Sequence, residues 1–240
     1  MRRIFGFCVA LMLCAGLAAQ APRDGAALLS AMHDRYQNDW YRTVSFTQKS
    51  TTIHPDGTTS SETWYEVAKL PGTLAIHIGD PREGNGEMVS DGQLKIYKAG
   101  KMTSSRPFVH MLLVLGFDVY RQPAATTIAE AKGQGFDLSK IHTDTWEGEP
   151  VYVVGADRGD LRTKQFWISK TRLLFVRLIQ PSRDGAHSTD TRFEDYRKLQ
   201  PGWIAARCDF FTDGKETFRE EYTNIRVNPR VGPTDLTFGH

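Results

Sequence analysis

The sequence predicts a mainly β protein of the α+β class, built on one large antiparallel sheet that curls into an incompletely closed barrel. Apolar and polar residues alternate in many short runs between residues 43 and 227, and Gly, Pro, Asp or Asn separates these runs. Helical spacing of apolar residues is confined to the start and the middle of the chain. The runs predict about eleven strands, and a sheet with that many strands curls rather than staying flat.

The first 21 residues have the layout of a secretory signal peptide. Arg2 and Arg3 precede an apolar run from Ile4 to Leu17, and small residues follow. The apolar run is too short to span a bilayer comfortably. We therefore predict export, with cleavage between residues 18 and 21.

The signal peptide has two alternatives. One is a buried N-terminal helix, and the other is lipidation at Cys14. Lipidation is the weaker reading because Leu13 stands where a lipoprotein signal places a small residue. The remaining residues, 22–240, are predicted to form one domain, since all-β barrels of this length are commonly single domains.

The charge of the exported chain is balanced. The sequence has 30 Lys and Arg residues against 28 Asp and Glu residues, and removing Arg2 and Arg3 with the signal peptide leaves 28 against 28. A balanced surface argues against nucleic acid as a partner. Only Cys208 remains beyond the signal peptide, so no internal disulfide is possible, and we predict a buried, inert thiol there.

The first predicted element after the signal peptide is an amphipathic helix capped by Asp24. Apolar residues recur there at steps of three and four. These residues are Leu28, Leu29, Met32, Tyr36 and Trp40.

Strands follow the helix. Val44 and Phe46 alternate with polar residues, and Pro55-Asp56-Gly57 turns the chain back. The stretch "PGTLAIHIGDPREGNGEMVSDGQLKIY" then places Leu74, Ile76 and Ile78 on one face of a strand and continues the meander.

The middle of the chain changes character. Residues 107–115 predict a short helix, with Pro107 in the first turn and Gly116 just past the end. The helix is apolar nearly all round and must be covered. Residues 124–135 predict a second, weaker helical turn, and strands resume after it, with hairpins about Glu147-Gly148 and about residues 169–171.

Catalytic and metal-binding patterns are not recognised in the sequence. It contains no G-x-S-x-G, no H-E-x-x-H and no glycine-rich phosphate loop. None of the seven histidines lies in ligand spacing with another. We therefore predict no catalytic residue, no metal and no cofactor.

The order and spacing of several segments carry a family resemblance. After the signal peptide and first helix come "VSFTQ", "LPGTLAIHIGDP", "MVSDGQLKIY", "WEGEPVYVV", "FWISKTRLLFVRL", "FEDYRKL" and "YTNIRVN". Over nearly the whole mature chain, this resembles the outer-membrane lipoprotein-sorting superfamily, with its LolA/LolB-like fold. The resemblance implies an unclosed antiparallel barrel of about eleven strands with helices over its mouth. The family's lid-latching arginine corresponds here to Ala75.

Family carriers hold acyl chains between the sheet and a helical lid, which implies a ligand cavity in this chain. Its predicted wall and lid residues are apolar and share a face by their spacing. They are Phe46, Leu74, Ile76 and Ile78 in the sheet, and Phe108, Met111, Leu112 and Leu115 in the lid helix.

The predicted function is that of a periplasmic carrier or binding protein for lipoprotein acyl chains or another apolar ligand. An exposed methylene costs about 0.8 kcal/mol in water, so an acylated anchor needs a covered apolar cavity to cross an aqueous space. The expected partners are a lipid-modified protein or other apolar ligand and a membrane-bound donor or acceptor, and the chain is expected to be a monomer. Two alternatives stay open: a periplasmic sensor or interaction module of related fold, and a secreted enzyme with an unrecognised site.

Overall fold

The computed structural model describes residues 21–182 and 184–238. The predicted signal peptide, apart from Ala21, and the alternative of lipidation at Cys14 lie outside the described residues. No helix within the described ranges is long and apolar enough to cross a membrane.

Thirteen strands form one antiparallel sheet, two more than the expected eleven or so. Turns at the predicted positions, about Asp91-Gly92, Glu147-Gly148 and residues 169–171, separate the strands. The strands are β1 (Thr43–Ile53), β2 (Thr59–Lys69), β3 (Thr73–Ile78), β4 (Gly86–Ser90), β5 (Gln93–Lys98), β6 (Lys101–Pro107), β7 (Ile141–Trp146), β8 (Glu149–Val154), β9 (Gln165–Ser169), β10 (Phe175–Pro181), β11 (Ser188–Lys198), β12 (Trp203–Thr212) and β13 (Lys215–Val227).

The sheet consists of two meanders joined by one ladder. Strands β1 to β6 pair in chain order, and so do β7 to β13, while β1 pairs with β13. Strands β6 and β7 are the two edges and do not pair with each other. The sheet is therefore an incompletely closed barrel, as predicted, with an open seam between β6 and β7.

Three α-helices cover the concave side and belong to the N-terminus and to the connection between the edge strands. They are α1 (Gly25–Tyr36), α2 (Met111–Gly116) and α3 (Ala124–Gly133). The predicted cap of α1 is confirmed, since the Asp24 carboxylate accepts a hydrogen bond of 2.7 Å from the backbone N–H of Ala27. Trp40, which was expected on this helix, lies beyond its end.

The predicted start of the middle helix was wrong. Pro107 ends strand β6, and α2 begins four residues later at Met111 and includes Gly116. Proline has no backbone N–H but is tolerated at the end of an edge strand, so it marked a strand end here rather than a helix start. His110 caps the helix instead, with its Nδ1 accepting a hydrogen bond of 3.2 Å from the N–H of Leu113.

Aromatic side chains fix α1 to the turn that follows α2. The ring of Tyr120 lies 3.9 Å from that of Trp40 and 5.3 Å from that of Tyr36, measured between centroids. The Tyr120 hydroxyl accepts a hydrogen bond of 3.1 Å from the N–H of Phe175, and the Tyr36 hydroxyl donates one of 2.6 Å to the carbonyl of Arg172. These contacts hold the helical layer against β10 and the turn before it.

The convex face of the sheet has its own small cluster around Arg177. The guanidinium lies 4.2 Å from the ring centroid of Trp146 and 4.5 Å from that of Trp167. It also donates two hydrogen bonds, of 2.8 and 2.7 Å, to the carboxylate of Asp190. This buried ion pair keeps two tryptophans on the side of the sheet away from the helices.

Candidate functional site

A cavity of about 240 Å³ lies on the concave side of the sheet, beneath α2. Strands β1 to β4 form one side of its wall and β11 to β13 form the other. The ladder between β1 and β13 crosses the cavity floor, so the site exists only where the two meanders meet.

Aromatic rings dominate the floor. Phe46 stacks on Tyr222 at 4.3 Å between ring centroids, across the β1–β13 ladder. Phe218 lies 5.8 Å from Trp64 and 5.5 Å from Phe210. Rings at these spacings attract one another and leave a continuous apolar surface.

Aliphatic side chains complete the wall and the roof. Ala68, Leu74 and Ile76 line the cavity from β2 and β3, while Leu112 and Leu113 line it from α2. The cavity is thus covered by hydrocarbon from the sheet below and from the helix above.

Gly116 sets the distance between α2 and the sheet. A Cβ atom added to it would lie 2.6 Å from Cε2 of Phe193, which itself lines the cavity. A real Cβ does not approach a ring carbon so closely, so either the ring or the helix would have to move. The glycine therefore allows the end of α2 to pack directly on β11.

Three glutamates, Glu66, Glu87 and Glu220, interrupt this apolar surface. Glu66 is 7% exposed, lines the cavity and makes neither a hydrogen bond nor an ion pair within residues 21–182 and 184–238. Glu220 also lines the cavity and accepts a hydrogen bond of 2.5 Å from the Tyr222 hydroxyl.

Burial raises the pKa of the Glu66 and Glu220 carboxyls. The pKa of Glu66 stands well above its usual value because of desolvation and, secondarily, the charge of Glu220. Desolvation likewise raises the pKa of Glu220, against the opposing hydrogen bond from Tyr222. Both acids therefore hold a proton more tightly than an exposed glutamate does.

The remaining polar groups of the wall are one acid, one histidine and one thiol. Burial raises the pKa of Glu87, and the nearby charge of Arg106 lowers it. Burial lowers the pKa of His110 to about 4, so the imidazole is neutral at pH 7. Cys208 is buried, as predicted, and desolvation raises the pKa of its thiol, which keeps it protonated and unreactive.

The structure brings together four of the eight residues predicted to line a cavity. Phe46, Leu74, Ile76 and Leu112 all face the same space. Their contact with a ligand stays a prediction.

The other four predicted residues do not face the cavity. Ile78 is half-buried and pairs with Trp64, but Trp64 lines the cavity and Ile78 does not. Met111 and Leu115 are buried in the core, and Phe108 is half-buried with its ring 4.8 Å from the guanidinium of Arg106. Phe108 precedes α2, which begins at Met111, and within the helix Leu112 and Leu113 are the side chains that line the cavity.

Sequence reasoning missed the cavity glutamates. The signal was present in the alternation, because Trp64, Glu66 and Ala68 share one strand face, as do Phe218, Glu220 and Tyr222. A glutamate between inward-facing residues on the same side of a strand indicates a buried carboxyl. Among the tryptophans that might have lined a cavity, Trp64 alone lines this one within the described residues.

Metal ligands are not grouped in the described part of the chain. No set of three or more His, Cys, Asp or Glu side chains there is placed to hold a metal ion.

Comparison with known proteins gives matches at the level of structure. No protein-family model matches the chain, and no curated protein matches it either. Three crystal structures share its fold, each at a TM-score above 0.5.

The first is a LolA-superfamily protein from Nitrosomonas europaea, with 15% identity, 88% of this chain and 97% of that chain covered, and a TM-score of 0.55. The second is a DUF1329 family protein from Desulfovibrio piger ATCC 29098, with 12% identity, coverage of 87% and 93%, and a TM-score of 0.57. The third is described as an outer membrane lipoprotein-sorting protein domain from Vibrio parahaemolyticus, with 13% identity, coverage of 87% and 94%, and a TM-score of 0.57. At these identities the likeness shows the fold alone.

Proposed function

We propose that this chain, which has the fold of the LolA-superfamily structures, is a periplasmic carrier or binding protein for an apolar ligand. The observation that supports the proposal is the covered cavity of about 240 Å³ with its aromatic floor and aliphatic roof. An apolar ligand gains about 25 cal/mol for each Å² of surface removed from water, and this wall offers many such contacts without a covalent step. Release stays easy because no single contact dominates.

The size of the cavity bears on the cargo. Pockets for drug-sized ligands commonly measure about 300–1,000 Å³, and this one is smaller, at about 240 Å³. In this conformation it suits one hydrocarbon chain rather than the several chains of a fully acylated lipoprotein anchor. A larger cargo requires movement of α2 or widening of the seam between β6 and β7, which are not hydrogen-bonded to each other.

The proposed location and partners follow from the sequence. The predicted signal peptide, residues 1–21, would deliver the chain to the periplasm. An acyl chain of a lipoprotein remains the candidate cargo by analogy with the sorting-protein fold. The chain would act as a monomer that takes its ligand from a membrane-bound donor and passes it to an acceptor.

A cavity-filling variant tests this function. Ala68 is 2% exposed and its methyl group faces the cavity, so Ala68→Phe would place a ring in the space that the ligand needs. We expect the Kd for the neutral probe N-phenyl-1-naphthylamine, measured by fluorescence titration of the chain from residue 22, to rise about tenfold or more. The melting temperature reports whether the variant still folds.

The matched control adds the same ring elsewhere on the strand. Thr63 lies on β2 and is exposed, so Thr63→Phe should leave the Kd within about twofold of the parent value. Unchanged binding in a folded Ala68→Phe protein, or a lack of probe binding by the parent, would refute the proposed function.

A further inference from the structure

Three carboxyl groups stand in the wall of a cavity that is otherwise mostly apolar, and two of them belong to Glu66 and Glu220 on either side of β1. The Glu66 side chain is more than nine-tenths buried, and its carboxyl faces the cavity without a hydrogen-bond partner or a cation among residues 21–182 and 184–238. Glu220 lines the same cavity from β13, where the Tyr222 hydroxyl donates to its carboxyl and hydrogen bonding by the buried Gln48 also lowers its pKa.

The ladder registers place these acids on facing parts of one surface. Glu66 pairs with Phe46 on β1 and with Ile76 on β3. Glu220 pairs with Ser50 on β1 and with Cys208 on β12. Strand β1 therefore lies between the two acids, and both point to the concave side that holds the cavity.

Folding alone does not account for a carboxyl at position 66. The Glu66 oxygens keep some accessible surface in the cavity, but a largely buried carboxyl without a hydrogen-bond partner loses most of its hydration, so it opposes folding. An apolar residue there would continue the surface made by Phe46, Ala68 and Ile76. A carboxyl at position 66 is accounted for if a ligand supplies the missing hydrogen-bond donor.

The charges around the cavity favour a positively charged donor. Glu66, Glu220 and Glu87 are its acids, and Arg106 acts on Glu87 rather than on the other two. The imidazole of His110 is neutral at pH 7 because burial lowers its pKa to about 4. The cavity thus has hydrocarbon walls and acidic groups. No cationic side chain among the described residues pairs with Glu66.

We propose that the cavity binds a single-chain amphiphile with a primary ammonium group, whose tail lies among the apolar side chains and whose N–H groups donate to Glu66 and Glu220. This deepens the proposed function and rests on it, because the tail must occupy the same apolar space. An ammonium group has three donors and no acceptor, which suits two carboxyl groups that face one cavity from either side of β1. One chain also agrees with a cavity of about 240 Å³.

The test compares three ligands with the same twelve-carbon chain, kept below their micelle concentrations. Dodecylamine, dodecanol and dodecanoic acid each displace N-phenyl-1-naphthylamine from the chain beginning at residue 22. We expect dodecylamine to bind about tenfold tighter than dodecanol at pH 7, because a charge-assisted hydrogen bond replaces a neutral one. Dodecanoic acid should bind more weakly than either.

Substitutions then locate the effect. Glu66→Gln and Glu220→Gln should each remove most of the preference for dodecylamine, measured for each variant as the ratio of its Kd for dodecanol to its Kd for dodecylamine. Glu221→Gln is the matched control, because Glu221 is the next residue on β13, points away from the cavity and forms a surface ion pair with Lys49. It should keep the full preference.

The outcomes separate the two proposals. If dodecanol binds and dodecylamine shows no preference over it, or if dodecanoic acid binds at least as tightly as dodecylamine, the ammonium site is refuted while the apolar carrier stands. If none of the three ligands binds, both fail. If a variant does not fold, the ligand order of the parent protein still decides the question.

A fourth ligand distinguishes a phospholipid amine from a free alkylamine as the natural ligand. A lysophosphatidylethanolamine with a twelve-carbon chain carries the same ammonium group beyond a phosphate. If it binds with the same dependence on Glu66, the ligand chemistry matches a phospholipid; if dodecylamine alone binds, it matches a free alkylamine. Both results support the ammonium site.

Discussion

Glu220 illustrates what single residues contribute to this cavity. Glu220 lies on a strand with the usual alternation of inward and outward side chains. Burial raises the pKa of its carboxyl from 4.5 to about 7. The folded chain therefore keeps a proton there that the unfolded chain releases.

This difference makes stability depend on pH. The folded state binds more protons than the unfolded state between about pH 4.5 and pH 7, so the contribution of Glu220 is full below the lower value and is lost as pH rises through the upper one. We expect Glu220→Gln to flatten this fall and to raise the melting temperature at pH 8, by about 2–4 °C for each kcal/mol gained. Thermal unfolding followed by circular dichroism from pH 4 to pH 8 measures it.

The control is again Glu221→Gln, which removes a carboxyl from the exposed side of the same strand and should leave the slope as it is. Some slope will persist in Glu220→Gln, because burial also raises the pKa of Asp118 to about 7. Identical pH profiles for Glu220→Gln and the parent would show that the Glu220 carboxyl is solvated.

At the residue scale, the sequence was sufficient for the apolar wall and insufficient for the acids. Period-two spacing correctly placed Phe46, Leu74 and Ile76 on the inner face, because alternation alone decides which face a strand residue takes. The role of Glu66 depends on what lies opposite it, and that depends on the pairing of distant strands.

Among the elements, α2 is where sequence and structure differ most. Apolar composition predicted a covered helix, and the helix is indeed covered, but its bounds are Met111–Gly116 rather than 107–115. Nearly uniform apolarity gives little rotational information, since no polar face marks the solvent side. His110 caps the start of the helix, and histidine is not among the residues that commonly occupy an N-cap position.

The mobility of α2 is a prediction at this scale. The helix is six residues long and forms the roof of the cavity through Leu112 and Leu113, so its own hydrogen bonds hold it weakly. We expect amide hydrogen exchange at residues 111–117 to be fast in the empty protein and to slow about tenfold or more when dodecanol binds.

Strand β12 serves as the internal reference, because its residues 207–212 pair with both β11 and β13, and Cys208 and Asp209 among them are buried. Its amides should exchange slowly with and without ligand. Exchange in α2 as slow as in β12 under both conditions would mean that the helix is permanent core and does not open.

At the scale of the whole molecule, the predicted export is open to direct test. A chain expressed with residues 1–21 in a bacterium with two membranes should appear in the periplasm, with an N-terminus between residues 19 and 22 by mass spectrometry. Cys14→Ser should change neither the location nor the N-terminus. Retention of Met1, or an acylated N-terminus at Cys14 that the substitution abolishes, would contradict soluble export.

The architecture itself was largely predictable, whereas the closure was not. Turn residues and alternation located nearly every strand, because hairpins are encoded locally. The pairing of β1 with β13 joins residues as far apart as Val44 and Val227, and no local pattern announces it. The family resemblance implied an unclosed barrel but did not specify this pairing.

The ladder between β1 and β13 also bears on how the chain folds. Within the described sheet, every other pair of neighbouring strands is consecutive, so residues 43–107 and 141–227 can each form a meander from local contacts. Joining them requires closure of a long loop, and such non-local pairing is slow. Before it happens, the rings of Phe46 and Tyr222 are not yet stacked and are exposed to solvent and to other chains. The cavity is therefore complete only once these two strands pair, and a ligand that occupied it would stabilise the paired state by mass action.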